Sequence, residues 1–97
     1  MIRSFGDKLT EDVYHGRPNT RLKRLDSGLV RATVRKLDML EAATRLDDLR
    51  SPPGNRLEAL KGDLAGLFSI RANDQWRIIF RWADGGADDV RLVDYHT

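Results

Sequence analysis

The stretch Ser51-Pro52-Pro53-Gly54-Asn55 divides the chain into halves of different hydrophobic period, and this change constrains the fold more than any other feature. Before it, Val30, Val34, Leu37 and Leu40 recur at spacings of four and three, with Arg31, Arg35, Lys36 and Asp38 between them. That predicts an amphipathic helix from about Ser27 to Ala43, with Asp26 or Ser27 as its N-cap. A shorter helix is expected from Lys8 to His15, ended by Gly16. Thr44 followed three residues later by Asp47 predicts one capped turn through Leu49, which Pro52 and Pro53 stop.

After the divider the period is two. Trp76, Ile78, Phe80 and Trp82 alternate with Arg77, Ile79 and Arg81, and Phe68 and Ile70 alternate with Ser69 and Arg71. Val90 and Leu92 alternate with Arg91 and Val93 in a last strand, joined to the preceding one by the turn Ala83-Asp84-Gly85-Gly86. Leu57 to Leu60 is a further short strand, and Ile2 to Phe5 an N-terminal edge strand. The expected architecture is α+β: an N-terminal strand and two to three helices, packed on one face of a mainly antiparallel sheet of three to four C-terminal strands. The Trp76 and Phe80 row is buried under the helices in this reading. The other face stays open and carries Arg71, Arg77, Arg81 and Arg91.

At 97 residues the chain has the size of one domain, residues 1–97. Such a chain buries only about 60 to 65% of the surface its unfolded form exposes, so a shallow surface site is expected in place of a deep cleft. Without cysteine there are no disulfides, thiolate nucleophiles or zinc ribbons. With only two histidines, His15 and His96, and no cysteine, neither metal nor cofactor is expected. Basic residues number 17 against 15 acidic ones, and 13 of the 17 are arginine, whose flat fork suits phosphate. Codon usage alone explains such a bias too. No run of about 18 apolar residues is present, and no apolar signal core follows the N-terminus, so a cytoplasmic protein without membrane contact is expected.

Three features stand apart from the core. The run Asp94-Tyr95-His96 places an acid, a phenol and an imidazole at the end of the last strand, a set suited to proton transfer and also to a solvated tail. Lys61 precedes Gly62 at a turn. Arg71 and Arg77 bracket a hairpin-like connection, where both can meet one phosphate or pair with Asp74 or Asp94.

The words Ile2-Arg3-Ser4-Phe5, Pro52-Pro53-Gly54-Asn55-Arg56-Leu57-Glu58, Leu60-Lys61-Gly62-Asp63, Phe68-Ser69-Ile70-Arg71, Asn73-Asp74-Gln75-Trp76-Arg77-Ile78 and Val93-Asp94-Tyr95-His96, in this order and spacing, resemble HigB-type toxins of the RelE/ParE superfamily. The resemblance runs along nearly the whole chain. It implies a metal-independent endoribonuclease that cuts messenger RNA on the translating ribosome through attack by a ribose 2′-hydroxyl. Carried over by position, it implies that Asp94, Tyr95 and His96 form the C-terminal catalytic cluster and that Arg77 holds the phosphate. Lys61 and Arg71 would lie beside the substrate, and His96 would transfer a proton near neutral pH. Glu58 stands where some relatives have a histidine; it replaces a proton acceptor or is a plain surface residue. The resemblance also implies a helix-turn-helix antitoxin of HigA type, and operator DNA bound only through the toxin–antitoxin complex. Two other readings remain open: a toxin of the same fold that inhibits DNA gyrase without catalysis, and an inactive RNA- or ribosome-binding module.

Overall fold

The structure is a computed structural model and describes residues 1–95. Helix α1 spans Lys8–His15 and α2 spans Ser27–Ala42. Strands β1 (Glu58–Ala59), β2 (Leu67–Arg71), β3 (Trp76–Ala83) and β4 (Gly86–Asp94) form an antiparallel sheet in the order β1-β2-β3-β4. Both helices begin as their sequences direct. Thr10 N–H donates to the Asp7 carboxylate at 2.8 Å and Leu29 N–H to the Asp26 carboxylate at 3.2 Å. Gly16 ends α1 in the left-handed conformation at φ 67°.

The buried stripe of α2 is Leu29, Thr33, Leu37 and Leu40, one position off the expected one at its N-terminal end, where Val30 and Val34 are only half-buried. The stripe packs on the sheet face that carries Ile70, Ile78, Phe80, Val90 and Leu92. Helix α1 closes the outer edge of β4, where Leu92 N–H donates to the Thr10 hydroxyl at 2.8 Å. The β3–β4 turn needs positive φ at both central residues, and Asp84 (52°) and Gly85 (75°) supply it, as expected from the sequence.

Three expectations change. The N-terminal segment is not a continuous strand: it touches β4 through two isolated parallel bridges, Ile2 to Ala87 and Phe5 to Val90. Between them β4 bulges at Asp89 (φ 55°), whose N–H turns to the Ser4 hydroxyl at 2.9 Å and leaves the ladder. The capped turn Leu46–Arg50 is closed by Asp48, not Asp47: its carboxylate accepts from Thr44 and Arg45 N–H at 3.0 Å each, while Asp47 pairs with Arg50. The face away from the helices is also only partly open, since Leu67, Ser69, Arg77 and Ile79 on it are buried.

The fold carries a titratable brace at α1. Buried Asp12 accepts from Asn19 Nδ2 at 2.8 Å and Lys8 Nζ at 3.5 Å. The Asn19 hydrogen bond chiefly holds its carboxyl below the usual range against the opposing push of burial, with Lys8 and Arg17 helping. Its stabilisation is therefore complete above about pH 4, and is lost as pH falls through the depressed folded-state value. In urea titrations from pH 6 to pH 2.5, Asn19→Ala should be less stable at pH 6 and lose less of its midpoint on acidification than the wild type.

Candidate active site

The β2–β3 connection brings the two expected arginines together. Arg71 and Arg77 are cross-strand partners in the last register pair before the loop. Asn73 shapes that loop by accepting from Gln75 N–H at 2.8 Å and Trp76 N–H at 2.7 Å. Gln75 then fastens the end of β4, its carbonyl accepting from Tyr95 N–H at 2.7 Å and its side-chain amide donating to Asp94 at 2.8 Å. Tyr95 is thereby held over Arg77, the guanidinium carbon 5.3 Å from the ring centroid. Arg56, Arg71, Asn73, Asp74, Arg77 and Tyr95 line a cleft of about 170 Å³.

Arg77 is the centre of this cleft. It is only 7% exposed, although alternation along β3 placed it on the open face. Its Nε donates to the Ser69 hydroxyl at 2.9 Å, Nη2 donates to the Arg56 carbonyl at 2.6 Å, and Nη1 lies 3.6 Å from the Glu58 carboxylate. These contacts come from β2 and from the stretch of β1 and the loop before it. They hold a planar, permanently charged group in one orientation and leave further N–H groups for a ligand. Glu58 is thus neither a free surface group nor detached from the site. It is half-exposed and stands against Arg77 as a counter-charge.

The other expected residues divide. Arg71 lines the cleft and is ion-paired to Asp74. Asp94 holds Gln75 at the rim. Lys61 does not line the cleft: it is exposed at the start of the 3-10 turn Gly62–Leu64. Because β1 is antiparallel to β2, the step from Glu58 to Lys61 leads away from Arg71. His96 lies outside the described residues. His15 is exposed on α1, with its ring against Phe5 and Tyr14. Among the described residues no group of three or more histidine or acidic side chains is arranged to hold a metal.

Three residues that sequence reasoning did not single out belong to the cleft or its support. Arg56 takes a left-handed conformation (φ 47°), so its carbonyl reaches Arg77 while its side chain lines the opening. Asn55 is fully buried beneath it, donating from Nδ2 to the carbonyls of Leu49 at 3.2 Å and Ser51 at 3.4 Å. Lys36 of α2 donates to Asn55 Oδ1. Burial holds the Lys36 ammonium below its ordinary pKa, and the charges of Arg35 and Arg71 push the same way. Asn-Arg after Pro-Pro-Gly was a legible loop signal, but its partners lie in distant elements.

Over residues 3–96 the sequence matches the HigB-like toxin family, the RelE-like toxin of the type II toxin-antitoxin system HigB. The chain belongs to this family. Toxin HigB-1 of Vibrio cholerae serotype O1 is 47% identical over 92 residues, covering 95% of each chain. Endoribonuclease HigB of Proteus vulgaris is 30% identical over 101 aligned residues, 99% of this chain and 100% of that one. In fold, this HigB-like toxin is similar to a chain of the YoeB–YefM complex from Staphylococcus aureus, with a TM-score of 0.62 over 100% and 99% of the two chains at 15% identity. The α+β expectation and the HigB-type assignment both hold. A HigB-like toxin is the toxin of a type II toxin-antitoxin system. No described helix is long and apolar enough to cross a membrane.

Proposed function

We propose that this HigB-like toxin is a metal-independent endoribonuclease that cuts messenger RNA on the translating ribosome. The observation that carries the reading is the buried Arg77 guanidinium, fixed by Ser69, Arg56 and Glu58 at the back of a shallow cleft with two further arginines at its mouth. The name of the Proteus vulgaris relative supports the same activity.

In this mechanism the scissile phosphate rests on Arg77, with Arg71 and Arg56 beside it. The ribose 2′-oxygen attacks phosphorus, the bond from phosphorus to the 5′ oxygen breaks, and a 2′,3′-cyclic phosphate and a 5′-hydroxyl result. The pentacoordinate phosphorane carries more negative charge than the ground-state diester, so a pre-oriented guanidinium favours the transition state over the substrate. His96 transfers a proton in this step, and Glu58 and Tyr95 are the other proton-handling groups near the cleft. Lys61 contributes positive charge along the message outside the cleft. The ribosome supplies the walls that a cleft of about 170 Å³ lacks. A helix-turn-helix antitoxin of HigA type suppresses the activity, operator DNA is bound through that complex, and the protein works in the cytoplasm.

Induction of the wild type in a bacterial host should arrest growth and yield messages ending in 2′,3′-cyclic phosphate. His96→Ala should restore growth and lower cleavage on purified ribosomes about 10²- to 10³-fold. Growth arrest with intact messages, together with blocked supercoil relaxation by purified gyrase, would replace this reading with the non-catalytic one.

A further inference from the structure

The sheet face that carries Arg77 holds a second cleft of about 160 Å³, lined by Gly6, Leu67, Arg81, Asp89 and Arg91. Register relates the two. Ile79 pairs with Arg91 on one side and Ser69 on the other, two residues along β3 from Arg77, and Leu67 pairs with Arg81 two residues further. Strand geometry therefore sets the backbone of Arg91 about 8 Å from that of Arg77, and that of Arg81 about 13 Å away. These offsets resemble one and two steps of a nucleic-acid backbone.

The two arginines of this cleft are not equivalent. Arg81 spends its charge on Asp89, its Nε 3.6 Å from the carboxylate. Arg91 has no ion-pair partner among the described residues, and its stem is confined: a Cβ at Gly6 would lie 3.2 Å from Arg91 Cδ and 2.8 Å from the Asp89 carbonyl. The bulge at Asp89 and the backbone of Gly6, whose N–H donates to the Val90 carbonyl at 2.8 Å, form the wall against which that stem lies. Buried Leu67 adds an apolar lining. One uncompensated, restrained cation beside an apolar lining matches two of the three parts of a nucleotide, its phosphate and its base.

We propose that this second cleft is a subsite for the nucleotide adjoining the scissile one, its phosphate held by Arg91. The inference rests on the reading of the Arg77 cleft as the cutting site. The competing account is that Arg91 merely shields Ile79, which is 3% exposed.

The test is a double-mutant cycle on the ribosome. Messages are prepared in which the phosphate on either side of the scissile one is replaced, one at a time, by a neutral methylphosphonate. Single-turnover cleavage is then measured with wild type, Arg91→Gln and Arg91→Lys; glutamine and lysine both keep a stem over Ile79. Arg91→Gln should slow cleavage of the unmodified message about tenfold, as expected for one lost charge-assisted contact. Arg91→Lys should recover most of that loss. One of the two neutralised phosphates should slow the wild type by a similar factor and slow Arg91→Gln no further. The proposal is overturned if Arg91→Gln cleaves like the wild type, or if its defect simply multiplies with both neutralised phosphates. Arg77→Gln, assayed in parallel, reports on the cutting site: wild-type cleavage by that variant would remove the underlying reading instead.

Discussion

Replacing Arg77 with alanine is expected to lower message cleavage on the ribosome about 10²- to 10³-fold, and to abolish growth arrest on induction. The size follows from where the guanidinium sits. A cation on an open strand face is screened by water and worth little to a bound phosphate, whereas one that is 7% exposed acts at a lower local dielectric. Its orientation is fixed before substrate arrives by the Ser69 hydroxyl at 2.9 Å and the Arg56 carbonyl at 2.6 Å. In the proposed mechanism the transition state therefore meets a preorganised donor.

Arg77→Lys separates charge from geometry. An ammonium keeps the charge but cannot donate at once to Ser69, Arg56 and a phosphate in one plane, so the lysine variant should recover little of the rate. Recovery by lysine to within about threefold of wild type would show that only charge matters and would sink the oriented-fork account. Circular dichroism on both variants is needed beside the kinetics, because alanine leaves the Ser69 hydroxyl and Arg56 carbonyl without their partner.

How far the sequence disclosed this site follows from the range of the interactions. Alternation along Trp76–Ala83 and the Asp84-Gly85 pair are local signals, and the structure has the strand and the two-residue turn where they point. The pairing of Arg71 with Arg77 was legible for the same reason, since a short polar loop between two alternating runs leaves few registers. The burial of Arg77 was not legible. Period two assigns it to the solvent face, and what lies against it there comes from elsewhere in the chain: the Arg56 carbonyl, 21 residues earlier, and the Tyr95 ring at the end of β4. The N-terminal segment misled differently: Ile2 to Phe5 reads as a strand, but the bulge at Asp89 sends an N–H to the Ser4 side chain and breaks the ladder. The position of Lys61 outside the cleft was not legible either, because a motif position carries no direction. Only the antiparallel register of β1 shows that the chain runs away from the cleft there.

Asn55→Ala should give the largest loss of stability, about 2 to 4 kcal/mol, read as a melting temperature lower by at least about 10 °C. Asn55 is fully buried, and its amide supplies donors to two carbonyls, Leu49 and Ser51, while its oxygen accepts from Lys36. Alanine leaves all three partners without this hydrogen bond: the Leu49 carbonyl is stranded away from water, and the half-buried Lys36 ammonium, already held below its ordinary pKa by burial, loses its acceptor. Asn55→Asp is the sharper variant. A carboxylate suits Lys36 better than an amide, but it has no hydrogen to offer two carbonyl oxygens, so it should remain clearly less stable than wild type. Stability equal to wild type in the aspartate variant would mean that the Lys36 contact alone holds the loop. The consequence reaches the cleft, because the residue after Asn55 presents the carbonyl that orients Arg77. At a temperature where both variants remain folded, cleavage should still fall, with the loss in the rate of the chemical step and not in message binding. A variant that is destabilised yet cleaves at the wild-type rate would show that Arg77 keeps its orientation through Ser69 alone.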